Sequence, residues 1–206
     1  MKRTLICVAL LLIVLMVAPS HGQGRLPQFE LFVGGAIPLA PDGFKDYYKT
    51  GLSIHGQYVI FLSPSIGLSF GAAYEFFMFD SDAFNDDFAE AYGWDPRDFG
   101  IDTDGNSGIL ELGVGVRPYL TPATANSQIF LFGMGTYNAL KNEVTVSDGD
   151  TEETIEGNES KMGAALGAGI ELPAGNMNVI IQGLYRFIFT EGETTSFVGV
   201  TGGIVF

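Results

Sequence analysis

His55 stands two residues from Ser53, the spacing that puts a base and a hydroxyl nucleophile on one face of a strand. No phosphate-binding loop, zinc-ligand spacing or nucleotide fingerprint accompanies that pair. Residues two apart on one strand rarely leave room for a substrate between them, so an interior hydrogen-bonded histidine is expected, no residue is assigned as catalytic, and no enzyme is expected. Asp102-Thr103-Asp104-Gly105-Asn106 repeats the alternating oxygen ligands that open a calcium loop. Asp102, Asp104 and Asn106 are thus candidate Ca²⁺ ligands, and calcium is the one cofactor with a motif behind it. The motif breaks at Ser107, where glycine belongs, and at Gly113, where a bidentate glutamate belongs. The remaining chemistry is charge in apolar surroundings: Glu30, Glu75, Glu111, Glu171, Arg117, Arg186 and His55 fall inside otherwise apolar stretches. Buried charge is costly unless paired, so these positions form a set.

The stretches that must position them alternate with period two, the mark of strands. Eight are legible: Phe29 to Ile37, Gly51 to Leu62, Ile66 to Met78, Gly108 to Leu120, Gln128 to Leu140, Lys161 to Leu172, Met177 to Phe189, and Ser196 to Phe206. Each is near the roughly 9 to 11 residues that a tilted membrane strand needs. Glycine is abundant, 28 residues, and much of it falls inside these runs instead of between them.

The connections alternate between two kinds. Ser63-Pro64-Ser65, the stretch Thr121 to Ser127, and Pro173-Ala174-Gly175-Asn176 are short and built of turn formers. Pro38 to Thr50, Phe79 to Ser107, Lys141 to Ser160 and Thr190 to Thr195 are mostly longer and more polar. Short periplasmic turns and longer extracellular loops sort this way in a membrane barrel with both termini periplasmic. Within the third loop, Glu143 to Val146 and Thr154 to Glu156 flank a turn, so strands five and six are expected to extend beyond the bilayer as a β-ribbon.

Parity assigns the faces. In strand two, Leu52, Ile54, Gly56, Tyr58, Ile60 and Leu62 point one way, and Ser53, His55, Gln57, Val59 and Phe61 the other. In strand six, Met162, Leu166 and Ile170 oppose Gly163, Gly167 and Glu171. The apolar set faces lipid and the small or polar set faces in, the inverse of a soluble barrel. Strand five, with Ile129-Phe130-Leu131-Phe132, is apolar on both faces and its parity stays open. Strand direction then places Glu75, Glu111, Arg186 and His55 on one level near the loop end, and Glu30, Arg117 and Glu171 on a lower one. Each arginine is expected to serve one layer, and the inward Phe61 and Phe77 argue against a wide pore.

Residues 1–22 have the three-part layout of a signal peptide: Lys2 and Arg3, the apolar run Leu5 to Val17, then small and polar residues. The run is shorter than the roughly 20 residues of a spanning helix. Residues 23–206 are then the mature domain, which lacks the chain's one cysteine, Cys7, and so any disulfide. The formal net charge is −14, and losing Lys2 and Arg3 makes the mature chain more acidic still. Such a surface repels nucleic acid. Phe79 to Ser107 carries nine acidic residues against Arg97 alone, with Phe84, Phe88, Tyr92, Trp94 and Phe99 among them. These read as a solvated acidic loop whose aromatic residues pack it together or offer a partner surface.

The opening strand Phe29-Glu30-Leu31-Phe32-Val33-Gly34-Gly35-Ala36-Ile37-Pro38, followed by Gly43-Phe44, Tyr48 and Gly51, and the last strand ending at Phe206, resemble the OmpA/OmpX-like family of small outer-membrane barrels. The likeness spans the mature chain. It implies an all-β fold, an eight-stranded antiparallel up-and-down transmembrane β-barrel with short periplasmic turns and long acidic extracellular loops, in the outer membrane of a Gram-negative bacterium. It further implies that Phe206, preceded by Val200, Gly202 and Ile204, is the signal read by the barrel assembly machinery. The expected role is structural or surface-interacting, with outer-membrane lipid around the barrel and an extracellular partner at loop 79–107. The alternative is a narrow, porin-like channel gated by the interior charge pairs.

Overall fold

Period-two patterning makes each apolar run extended, and a strand in lipid must give every backbone N–H and C=O to a neighbour, which only a closed ring achieves. The computed structural model describes residues 25–148 and 151–206 and contains such a ring. Its strands are β1 (Gln28–Ala40), β2 (Gly51–Ser63), β3 (Ile66–Met78), β4 (Asp102–Pro118), β5 (Gln128–Ser147), β6 (Glu152–Ala174), β7 (Met177–Phe189) and β8 (Thr194–Val205). Each pairs antiparallel with the next, and β8 closes on β1 from Glu30↔Val205 to Ala40↔Ser196. The ring is completed at its last residue, where the Phe206 N–H donates to the Phe29 carbonyl at 2.8 Å. The signal peptide expected over residues 1–22 lies outside the described residues, as do 23 and 24.

A 13-residue strand such as β3, tilted in a closed barrel, stands about 33 Å tall, enough to cross the apolar band of an outer membrane. The faces divide as parity requires. Leu52, Ile54, Tyr58 and Leu62 of β2 are exposed, while Ser53, His55, Gln57 and Val59 are buried. In β5 the inward pair is Phe130 and Phe132. Their rings lie over Gly167 and Gly169 of β6, where any Cβ would collide with them. Glycine inside the barrel thus makes room for aromatic side chains on the facing strand.

The two ends differ. The connections after β2, β4 and β6 are short, and this is the turn end. The other end carries α1 (Asp42–Tyr47), α2 (Ser81–Tyr92) and a 3-10 turn over Pro96–Phe99. It also carries a ribbon in which β5 and β6 run on past the barrel, pairing Val144↔Ile155 and Thr145↔Thr154. The segment expected as one loop from Phe79 to Ser107 is therefore two helical segments and the start of β4. Phe84, Phe88 and Tyr92 recur at every fourth residue, a helical signal embedded in the acidic stretch. Asp80 caps α2 by accepting from the Ala83 N–H at 3.4 Å, and Gly93, at φ 76°, ends it with its N–H on the Ala89 carbonyl.

Candidate functional site

Strand register carries the ionisable side chains inward and decides which of them meet. Ala73↔Glu111 and Ala165↔Arg186 set the upper layer, where the Arg186 guanidinium lies between two carboxylates. Its Nη1 is 3.0 Å from Glu75 Oε1, its Nε is 3.3 Å from Glu111 Oε1, and Ser53 Oγ donates to Glu75 Oε1 at 3.0 Å. With its hydroxyl on Glu75, Ser53 is not paired with His55. The imidazole instead stacks on Phe32, with ring centroids 4.2 Å apart, and accepts at Nε2 from the Gln182 amide at 2.7 Å. His55 thus joins no ion pair. It lines, with Gln57, Glu111 and Arg186, a cavity of about 20 Å³ below the upper layer, room for about one water molecule.

The lower layer centres on Arg117, which is fully buried, as is Glu30. Arg117 grips Glu30 with both terminal nitrogens at 2.6 and 2.7 Å, donates to Gln57 Oε1 at 2.8 Å, and lies over the Phe130 ring at 4.3 Å. This forked geometry is the strongest form of the carboxylate–guanidinium contact. Glu171, expected in the same layer, accepts from Asn178 Nδ2 at 2.6 Å and shares the turn-end mouth with Arg25.

Apolar plugs lie beyond both layers. Toward the loop end, Phe77 and Phe197 meet edge-on at 5.5 Å, and Phe44, delivered by α1, closes over them at 5.0 and 6.5 Å. Toward the turn end, Tyr119 packs on Phe61 and Phe130, and Arg25 lies 4.2 Å from the Tyr119 ring. Sequence reasoning turned Phe61, Phe77 and Gln57 inward, without giving Gln57 a partner, but missed Phe44, Tyr119 and Gln182. Phe44 lies in a loop, where no strand parity could assign it.

The helix-bearing end is held together separately. Arg97 bonds Asp95 through Nε at 2.9 Å and Nη2 at 2.7 Å, contacts Asp86, and approaches Asp82 at 3.7 Å. Its hydrogen bonds hold the Asp95 carboxyl below the usual aspartate range. Tyr47 OH donates to Asp87 at 3.1 Å, which raises the phenol above its ordinary value, and Lys49 reaches Asp80 at 3.5 Å. These contacts tie α1 to α2. The calcium reading does not fit this end. Asp102, Asp104 and Asn106 are in β4, paired with Ser147, Thr145 and Glu143 of β5. An extended strand separates alternate side chains by about 7 Å and cannot curl them around one ion. Among the described residues no group of three or more His, Cys, Asp or Glu could hold a metal. Phe206 faces out, 63% exposed, its ring 6.3 Å from Phe29.

A closed eight-stranded ring with an apolar outer belt and a charged interior defines the class: the fold of the small β-barrels found in outer membranes. No family model matches the chain, and no curated protein does. Solved structures do match. A major outer membrane protein from Thermus thermophilus superposes with a TM-score of 0.54 at 14% identity, over 88% of this chain and 99% of that one. Ail, the attachment invasion locus protein of Yersinia pestis, solved with the heparin analogue sucrose octasulfate, gives 0.53 at 15% identity, over 88% of this chain and all of Ail. Neisserial surface protein A gives 0.52 at 12% identity, over 87% and 95%. At such identities the likeness establishes the shared fold, in agreement with the OmpA/OmpX-like resemblance.

Proposed function

We propose that this protein is a closed, non-enzymatic barrel of the outer membrane that serves as a rigid anchor for a surface-interacting end. In this reading both termini and the short turns face the periplasm, and α1, α2 and the β5–β6 ribbon stand outside the cell. One observation carries it: side chains occupy the interior at four successive levels, Phe44 on Phe77 and Phe197, then the Arg186 layer, then the Arg117–Glu30 layer, then Tyr119 and Phe61. A conduit needs a continuous wet path, and the cavity between the layers has room for about one water. What is left to act is the helix-bearing end, where charge is concentrated. Ail was crystallised with a polyanion; here nine acidic residues against one arginine between Phe79 and Ser107 favour partners of the opposite sign. The outward Phe206, hydrogen-bonded to Phe29 at the seam, suits the role of a terminal assembly signal.

Arg186, shared by Glu75 and Glu111, supports a second reading, a narrow channel in which the guanidinium exchanges partners. Single-channel recording in planar bilayers separates the two. The sealed barrel gives no steps, and Arg186→Ala alone gives none because the aromatic plugs remain. Reproducible openings of the wild-type protein that Arg186→Ala alters would overturn the anchor reading.

A further inference from the structure

The aromatic residues after β3 form a chain that begins in cover and ends in the open. Phe84 packs against Tyr47 and Phe79 at 5.5 Å each, Phe88 meets Trp94 edge-on at 4.9 Å, and Trp94 meets Phe99 edge-on at 5.3 Å. The outer rings stay bare: Trp94 is 40% exposed and Phe99 66%. With Ile101 they line a shallow hollow of about 380 Å³. The hollow is built by backbone as well as side chains. Gly93 and Gly100, at φ 76° and 71°, make the bends on either side of it, conformations that other residues adopt only with strain. Between them Asp95 caps the 3-10 turn and is clamped by Arg97.

The rim is acidic. Asp98 and Asp102 are exposed and directly precede and follow, in the chain, Phe99 and Ile101 of the hollow, and Glu90 is exposed in the last turn of α2. An apolar depression at a membrane protein's outer end could face lipid or a partner, and the charge decides between them. Exposed carboxylates next in the chain to the residues that line the hollow, within a stretch of nine acids against one arginine, oppose entry into an anionic lipid surface and attract cations, while aromatic faces add a favourable contact for Lys or Arg.

We propose that the Trp94–Phe99–Ile101 hollow docks a cationic amphipathic segment of a partner protein or peptide. One apolar side chain of that segment fills the hollow, and flanking Lys or Arg residues meet Asp98 and Asp102. This rests on the surface-interaction reading and names the chemistry of its partner. The division of labour is that of a small interface: the buried anchor carries most of the energy, and the rim charges set sign and approach rate.

Trp94 is the chain's one tryptophan, so its emission reports the hollow directly. The mature chain, folded into nanodiscs of zwitterionic phosphatidylcholine, is titrated with a short synthetic peptide of alternating lysine and leucine, with the glutamate–leucine peptide and empty nanodiscs as controls. The expected result is a saturable blue shift of Trp94 emission with the cationic peptide alone. Phe99→Ala, at an exposed position, binds about tenfold more weakly. The double variant Asp98→Asn and Asp102→Asn loses most of the salt dependence. Three results would overturn the proposal: no shift, equal binding by Phe99→Ala, or quenching of Trp94 by brominated lipid before peptide is added, which would put the hollow in the bilayer. A silent barrel without a peptide response refutes the docking site and leaves the anchor reading standing; a conducting barrel refutes the anchor reading whatever Trp94 does.

Discussion

Arg117 and Glu30 are both fully shielded from solvent, and the pair has no water to fall back on if one partner is lost. Arg117→Ala leaves a buried carboxylate and an unmatched Gln57, a loss expected to cost about 3–5 kcal/mol. The double variant Arg117→Met with Glu30→Gln removes the charge from both sides and recovers most of that loss, because well-packed neutral side chains rival a buried ion pair. Urea unfolding in lipid vesicles measures both. A loss below about 1 kcal/mol for Arg117→Ala would show that the layer does not hold the barrel together. Charge within apolar runs was enough to single out both arginines. Their partners were legible only in part, since Glu171 turned to Asn178 and His55 to Gln182.

α2 and the 3-10 turn behind it depend on contacts made in water, which behave differently. Asp95 is held below its ordinary range by Arg97, so its contribution is present above the carboxyl's unfolded value, about 4, and is lost as pH falls through its lower folded value. Trp94 emission should therefore be flat from neutral pH to about 4 and change only below it. Asp95→Asn should abolish that acid step. A midpoint above about 4 in the wild-type protein would mean that Arg97 does not hold Asp95. Strand boundaries were legible where turn formers flank them: β3 runs Ile66–Met78 and β7 runs Met177–Phe189, as the alternation predicts. β4 starts at Asp102 instead of Gly108 because the polar stretch Asp102 to Ser107 has no alternation of its own and is extended by pairing with β5. The same pairing removes the calcium loop.

The helix-bearing end meets the barrel through Phe44 on Phe77 and Phe197 and through Tyr48 and Phe84 on Phe79 at the end of β3, while the ring's backbone pairing continues around β1 to β8. Replacing residues 81–100 by a short glycine–serine turn should leave the barrel folded, with an unchanged unfolding midpoint in urea. A variant that no longer folds into vesicles would show that α2 is part of the scaffold and not cargo on it. The sequence alone determined the membrane barrel, the eight strands and which residues of β2 and β6 face lipid, because period-two alternation and sorted loop lengths are local properties of the chain. Tertiary structure alone decided which charges meet, which way Phe130 and Phe132 point, and that Phe44 stops the mouth. Those depend on stagger between strands and on the glycines of a neighbour, and no single strand carries that information.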